Sequence, residues 1–140
     1  MQVDIGQFLA SKKLRVTDAR KIIFGLLLTS SEPLSMGEIV EAVHGKLDRS
    51  SVYRVIGLFE KIGVTRRVNT GWKYKIELSE SFAVHHHHFI CLQCHKIIRI
   101  DESEVSELID KLSSEKKFHV VEHHFELHGI CRDCLSRKSD

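Results

Sequence analysis

Four cysteines fall into two identical spacings, Cys91-Leu-Gln-Cys94 and Cys131-Arg-Asp-Cys134, with 36 residues between the pairs. Two such knuckles can close one tetrahedral thiolate site around Zn²⁺, with Zn–S bonds of about 2.3 Å. A redox dithiol would need one Cys-x-x-Cys, not two, and disulfides are disfavoured in a reducing cytosol. Four thiolates leave zinc no open position for water or substrate, so this site is expected to staple the fold and not to catalyse. It would tie the C-terminal tail to the middle of the chain, a reinforcement that small cores commonly need.

The second chemical signal is His85-His86-His87-His88, internal and flanked by apolar residues. On an extended strand successive side chains point to opposite faces, so His85 and His87 share one face and His86 and His88 the other. One run can therefore seed two distinct metal sites. The ligands that complete them must come from elsewhere, and the candidates are Glu32 and Glu77 before the run and Glu104, Glu107, His123 and His124 after it. Spacing pairs none of His44, His95, His119 and His128 with a partner.

These groups need elements to hold them. Charge and histidine divide the chain of 140 residues: residues 1–78 carry 13 Lys or Arg against 8 Asp or Glu, whereas residues 79–140 carry 8 against 11. Nine of the ten histidines lie at or beyond His85. A basic first half implies that this half meets a polyanion. Its pattern predicts helices over Asp4–Lys13, from the N-cap Thr17 through Leu27, from a Ser35/Glu38 capping box to Gly45, and over Asp48–Gly63 with Asp48 or Ser50 as cap. Alternating stretches at Val64–Val68 and Trp72–Leu78, with Asn69-Thr70-Gly71 as the turn, read as a wing, so this half is expected to be a winged helix-turn-helix. In the second half His85–Leu92, Lys96–Ile100 and Phe118–Leu127 read as strands and Ser103–Ser114 as a helix. The fold class expected is α+β, with domains at residues 1–78 and 85–140 joined by a hinge at 79–84. Hydrophobic content of 42% and charged content of 29% suit a soluble globular chain. With no leader and no apolar run of membrane-spanning length, a cytoplasmic protein without membrane contact is expected.

The order of motifs resembles the ferric uptake regulator family of bacterial metalloregulators over nearly the whole chain. The motifs are Thr17-x-x-Arg20, Ser50-Ser51-Val52-Tyr53-Arg54, Glu77, the histidine run leading into Phe89-Ile90-Cys91-Leu-Gln-Cys94, then His123 and Gly129-Ile-Cys131-Arg-Asp-Cys134. The resemblance implies a C-terminal dimerisation domain and homodimers that bind AT-rich palindromic double-stranded DNA when metallated. It places DNA contacts at Arg15 for the minor groove and at Tyr53 and Arg54 of a recognition helix, with Arg20 and Ser51 in the same motifs. It implies a regulatory inter-domain site of Glu32, Glu77, His86 and His88, and a second site of His85, His87, His123 and an acid, Glu104 or Glu107. Strand alternation assigns the four histidines to the same two groups. The chain departs from the family pattern at Arg99 and Ser106, where acids are common, at His87, where an acid often stands in the run, and at Glu32, where histidine is common. With Arg99 in place the inter-domain site has four protein ligands or brings in Asp101.

The function expected is a metal-responsive, DNA-binding repressor of metal homeostasis with structural Zn²⁺ and a regulatory Zn²⁺, Fe²⁺ or Mn²⁺. A peroxide sensor of the same family, working through bound Fe²⁺, is the alternative. A small metal-dependent hydrolase lacks its His-Glu-x-x-His helix or nucleophile motif here, so the chain is expected not to be an enzyme.

Overall fold

Side-chain caps set where the helices of the first unit begin in the structure, a computed structural model that describes residues 3–138. Helix α1 (Ile5–Ser11) opens on Asp4, whose carboxylate accepts the Gly6 and Gln7 N–H groups at 2.7 and 3.3 Å. Helix α2 (Asp18–Thr29) opens on Thr17, and α3 (Met36–Ala42) on the reciprocal Ser35/Glu38 box. A Thr or Ser cap of this kind contributes about 1 kcal/mol. Asp48, not Ser50, caps α4 (Arg49–Lys61) by accepting the Ser51 N–H at 2.8 Å. Gly63, at φ +79°, turns the chain out of α4.

The inward faces of these helices make one core. Ile23 and Leu27 of α2 pack with Val52, Ile56 and Phe59 of α4, and Ile39 closes one side. A hairpin of β1 (Thr65–Asn69) and β2 (Tyr74–Leu78) covers the core with Val64, Ile76 and Leu78. Its register runs from Thr65↔Leu78 to Asn69↔Tyr74, and Leu34 adds one antiparallel bridge to Ile76. The second strand starts later than its alternation suggests, because the turn extends to Lys73, whose carbonyl accepts the Thr70 N–H at 2.8 Å.

The chain divides into two compact units between Val84 and His85. Within residues 79–84, expected as the hinge, Ser79 N–H bonds the Val64 carbonyl at 2.9 Å, and Phe82 packs edge-on against Phe8 and Phe24. Burial of the Phe82 ring anchors this segment to the first unit's core.

The second unit is a three-stranded sheet ordered β4-β3-β5, with β3 (His86–Cys91), β4 (Ile97–Asp101) and β5 (Glu126–Gly129). Strands β3 and β4 are antiparallel from His86↔Asp101 to Ile90↔Ile97, and β5 joins parallel from His88↔Glu126 to Cys91↔Gly129. Helix α5 (Glu102–Lys116) follows β4 without a loop, and α6 (Arg132–Lys138) carries Cys134. The expected strand over Phe118–Leu127 shrinks to its last residues plus two more. Residues 118–125 have no sheet partner, and Phe118 and Val121 are largely exposed, so branched and aromatic composition misleads there. Helix α6 has too few apolar residues to announce itself in the sequence.

Apolar burial is uneven. The first unit buries fourteen core side chains, whereas the second buries the aliphatics Ile90, Ile97, Ile100 and Val105 together with Cys91 and Cys134. At about 1.5–3 kcal/mol for each fully buried aliphatic side chain, four of them do not offset the ordering of some fifty residues. Among the described residues, no helix is long and apolar enough to cross a membrane.

Candidate metal centres and nucleic-acid face

Cys91 ends β3, Cys94 sits on the tight turn into β4, and Cys131 and Cys134 flank the start of α6. His95, at φ +64°, completes that first turn. The parallel β3–β5 pairing brings the second knuckle onto the first, because Cys91 pairs with Gly129 two residues before Cys131. The Cys91 and Cys134 sulfurs lie 3.9 Å apart and those of Cys94 and Cys131 3.7 Å apart. A tetrahedron with metal–sulfur bonds of about 2.3 Å has edges of about 3.8 Å, so the cluster fits zinc, whereas a disulfide needs about 2.05 Å. The free thiols are strongly differentiated. Cys91 is lowered to about 6 by the backbone N–H groups of Cys94 and Cys131 turned toward its sulfur, while burial pushes Cys134 up to about 12.

The second cluster forms on one face of the same unit. The Nε2 atoms of His85 and His87 each lie 3.2 Å from that of His123. Glu102, the first residue of α5, completes the set: its carboxylate lies 2.6 Å from His87 Nε2 and 3.1 Å from both His85 and His123 Nε2. Four donors at about 2.0–2.1 Å from one ion would stand about 3.3–3.4 Å apart, so this set fits a borderline divalent metal. His87 Nδ1 lies 3.1 Å from the Phe125 carbonyl, which can only accept. With an ion bound, that bond keeps the ring proton on Nδ1 and leaves the Nε2 lone pair for the metal. Burial opposes ionisation of Glu102, but hydrogen bonds from His87 and His123 and the charge of the histidines outweigh it and lower its pKa.

Glu104 and Glu107, the acids expected here, are elsewhere. Glu104 accepts the Asp101 N–H at 2.9 Å in the capping box of α5, and helical geometry turns both away from Glu102. The face that continues from Glu102 is Ser106, Ile109 and Ser113, which line a cleft of about 350 Å³ with Phe118 and His123. Sequence reasoning missed Glu102, although a signal existed. Residues paired across β3 and β4 have numbers summing to 187, and Cys91 N–H bonding to the Lys96 carbonyl fixes that register from the knuckle. The same register sets residue 102 opposite His85. Glu102→Ala is therefore expected to weaken metal binding at this cluster by more than about 100-fold, against little change for Glu104→Ala or Glu107→Ala. Isothermal titration of the zinc-stapled protein checks it, and equal losses in all three variants would refute the assignment.

His86 and His88 lie on the other face of β3, their rings 4.8 Å apart. Arg99 stands opposite His88 and Asp101 opposite His86, and the two are ion-paired at 3.0 Å. In the first unit Glu77 is held through one oxygen by Arg66, from Nε at 2.8 Å and Nη2 at 2.7 Å, a partner that its cross-strand position predicts. Glu32 is exposed in the loop before Leu34. His124 is also exposed, beside Glu122.

Helix α4 sorts its residues cleanly. Val52, Val55, Ile56 and Phe59 are buried, whereas Tyr53 and Arg54 face solvent, Tyr53 being 48% exposed. Arg54 reaches Ser51 Oγ at 3.3 Å. Arg20 donates to the Arg15 carbonyl, so it fixes the loop that presents the exposed Arg15 side chain. The Ser51 hydroxyl and N–H hold the Asp48 carboxyl below its ordinary value.

The profile of the Ferric uptake regulator family matches residues 11–128. The chain belongs to the ferric uptake regulator family. It is 30% identical over 130 residues to the ferric uptake regulation protein of Neisseria meningitidis, covering 89% of this chain and 88% of that one. The peroxide-responsive repressor PerR of Staphylococcus saprophyticus is 28% identical over 133 residues, covering 92% and 88%. The fold matches the Helicobacter pylori ferric uptake regulator with a TM-score of 0.75 at 24% identity, over 94% of this chain and 89% of that one. Ferric uptake regulator proteins are metal-responsive transcription regulators that bind DNA and function as dimers, not enzymes. The four-cysteine and histidine–carboxylate clusters of this family member are suited to metal.

Proposed function

We propose that the chain is a metal-sensing repressor whose homodimer binds an AT-rich palindromic operator through a winged helix-turn-helix, with Tyr53 and Arg54 in the major groove and Arg15 in the minor groove. The observation that carries this reading is the division of the histidine run: His85 and His87 join Glu102 and His123 in one four-donor set, which leaves His86 and His88 on the opposite face two and four residues beyond Val84. Two imidazoles alone hold a divalent ion weakly, so a regulatory ion there draws Glu77 and Glu32 from the DNA-binding unit. An ion bound by donors of both units favours the arrangement in which two recognition helices of a dimer meet successive major grooves. It does so only through its tighter binding to that arrangement, and DNA raises metal affinity by the same factor.

Exposed apolar side chains supply the dimer surface. Ile98, Phe89 and Leu127 form one row across the sheet, and Leu108 and Leu112 stand one turn apart on α5, all between 37% and 48% exposed. Two imidazoles with two carboxylates, and Arg99 where a further acid would stand, suit four-coordinate Zn²⁺ best, with Fe²⁺ or Mn²⁺ next. The similarity to a peroxide-responsive repressor supports a second reading, in which bound Fe²⁺ reacts with peroxide.

The test is to titrate the zinc-stapled, sensor-empty protein with Zn²⁺, Mn²⁺ and, anaerobically, Fe²⁺. Anisotropy of a labelled AT-rich palindrome at fixed salt reports binding. One ion is expected to raise DNA affinity at far lower free concentration than the others. If none changes it, the histidines are not a DNA switch. Loss of the iron response on adding peroxide would select the second reading.

A further inference from the structure

The β1–β2 hairpin carries four cations, and three are neutralised within the fold. Arg66 pairs with Glu77 at 2.7 Å and Glu80 at 3.6 Å, Arg67 with Glu60 at 2.8 Å, and Lys75 with Glu38 at 3.6 Å. Lys73 is the hairpin cation that, among the described residues, has no carboxylate partner. Its ammonium lies 4.4 Å from the ring centroid of Trp72.

Trp72 is 80% exposed, more than any other aromatic side chain among the described residues. The turn that carries it is rigidly built. Thr70 is fully buried, and its N–H and hydroxyl both donate to the Lys73 carbonyl, at 2.8 and 3.2 Å. Gly71 takes φ +97°, which a side chain would resist. A preorganised turn thus holds a large indole in water, with a single uncompensated ammonium against its face. Such a pair is matched to a surface that offers both phosphate and an apolar sugar edge.

We propose that Trp72 and Lys73 form a second DNA contact at the tip of the wing, the indole lying against deoxyribose and the ammonium meeting a phosphate beside the groove read by α4. This rests on the DNA-binding reading and extends it to a backbone contact that adds affinity without base choice. The net basic charge of the first half of the chain favours DNA. A bilayer surface is a poorer match, because one indole and one lysine supply neither the apolar face nor the basic cluster that interfacial binding requires.

Trp72 is the chain's single tryptophan, so intrinsic emission reports the tip alone. The full-length protein, with Zn²⁺ and Mn²⁺ supplied in turn, is titrated with a fluorescein-labelled AT-rich palindromic duplex at low salt. Anisotropy reads binding while acrylamide quenching reads Trp72. Quenching is expected to fall as anisotropy saturates. Trp72→Ala is expected to weaken binding about tenfold, with Trp72→Phe recovering part of it. Lys73→Ala should flatten the slope of log K against log salt by about 2, one phosphate per wing of a dimer. Saturated anisotropy with unchanged quenching, and a Trp72→Ala protein that binds as wild type, would overturn the contact and leave the DNA-binding reading standing. Absence of any DNA binding would sink both. A Trp72 response to phosphatidylglycerol vesicles but not to DNA would also overturn it, in favour of a membrane surface.

Discussion

Replacing Cys134 by serine is expected to cost the protein its structural zinc and, with it, the folded second unit and the dimer. The second unit buries four aliphatic side chains besides its cysteines, and Cys134 of α6 meets Cys91 at the end of β3 within the cluster. Structural zinc contributes about 10–16 kcal/mol at neutral pH, as much as the whole stability of an ordinary domain. The first unit has its own core of fourteen side chains and should keep its helices. Circular dichroism with gel filtration would then show a monomer that retains helical signal and a single residual thermal transition. A Cys134→Ser dimer with the wild-type melting curve would mean that the cluster is not a staple. Acid should act in the same direction, because protons compete with the metal for sulfur. At pH 7 Cys91, at about 6, is already a thiolate, whereas Cys134, at about 12, must give up its proton when zinc enters. Zinc affinity is therefore expected to fall by at least about one log unit per pH unit on acidification, and more steeply below about pH 6, where Cys91 also binds a proton. A chromogenic chelator competed against the protein between pH 5 and 8 reads this directly.

How much of this the sequence already contained depends on the range of the interaction. The caps at Thr17 and Ser35 and the inward stripe Val52–Phe59 are local, and the chain settles them within one helical turn. Strand alternation was equally readable: it separates His85 and His87 from His86 and His88, and the structure keeps these pairs on opposite faces. Where the answer lay in pairing between distant segments, composition misled. Residues 118–125 have the composition of a strand, yet strand pairing begins only where Glu126 meets His88. In the segment after β2, read as a hinge, Phe82 packs on Phe8 and Phe24, more than fifty residues earlier, a contact that no local pattern announces. Glu102 lies between these cases. The family resemblance points to the acids flanking Ser106, Glu104 and Glu107, but the hairpin register, fixed by the Cys91 turn, delivers the first residue of the helix to the histidines. A register argument would have found it; a position-by-position mapping of motifs did not.

That division of the run makes a sharp experiment possible. His86→Ala and His88→Gln are each expected to raise the free metal needed for DNA binding by more than about 100-fold, while the zinc staple, the dimer and the thermal melt stay as in wild type. Both substitutions leave the cysteine cluster and the His85, His87, Glu102 and His123 set untouched, because they act on the other face of β3. Glu102→Ala should do the converse, stripping its own set while leaving the DNA response to metal largely in place. Linkage adds a reciprocal demand. If metal raises DNA affinity 100-fold, a coupling of about 2.7 kcal/mol, operator DNA must tighten metal binding by the same factor, and His88→Gln must lose both together. Should Glu102→Ala abolish the DNA response while His88→Gln preserves it, the sensor is the set closed by Glu102. The coupling would then have to travel from a site wholly within the second unit, without donors from Glu77 or Glu32.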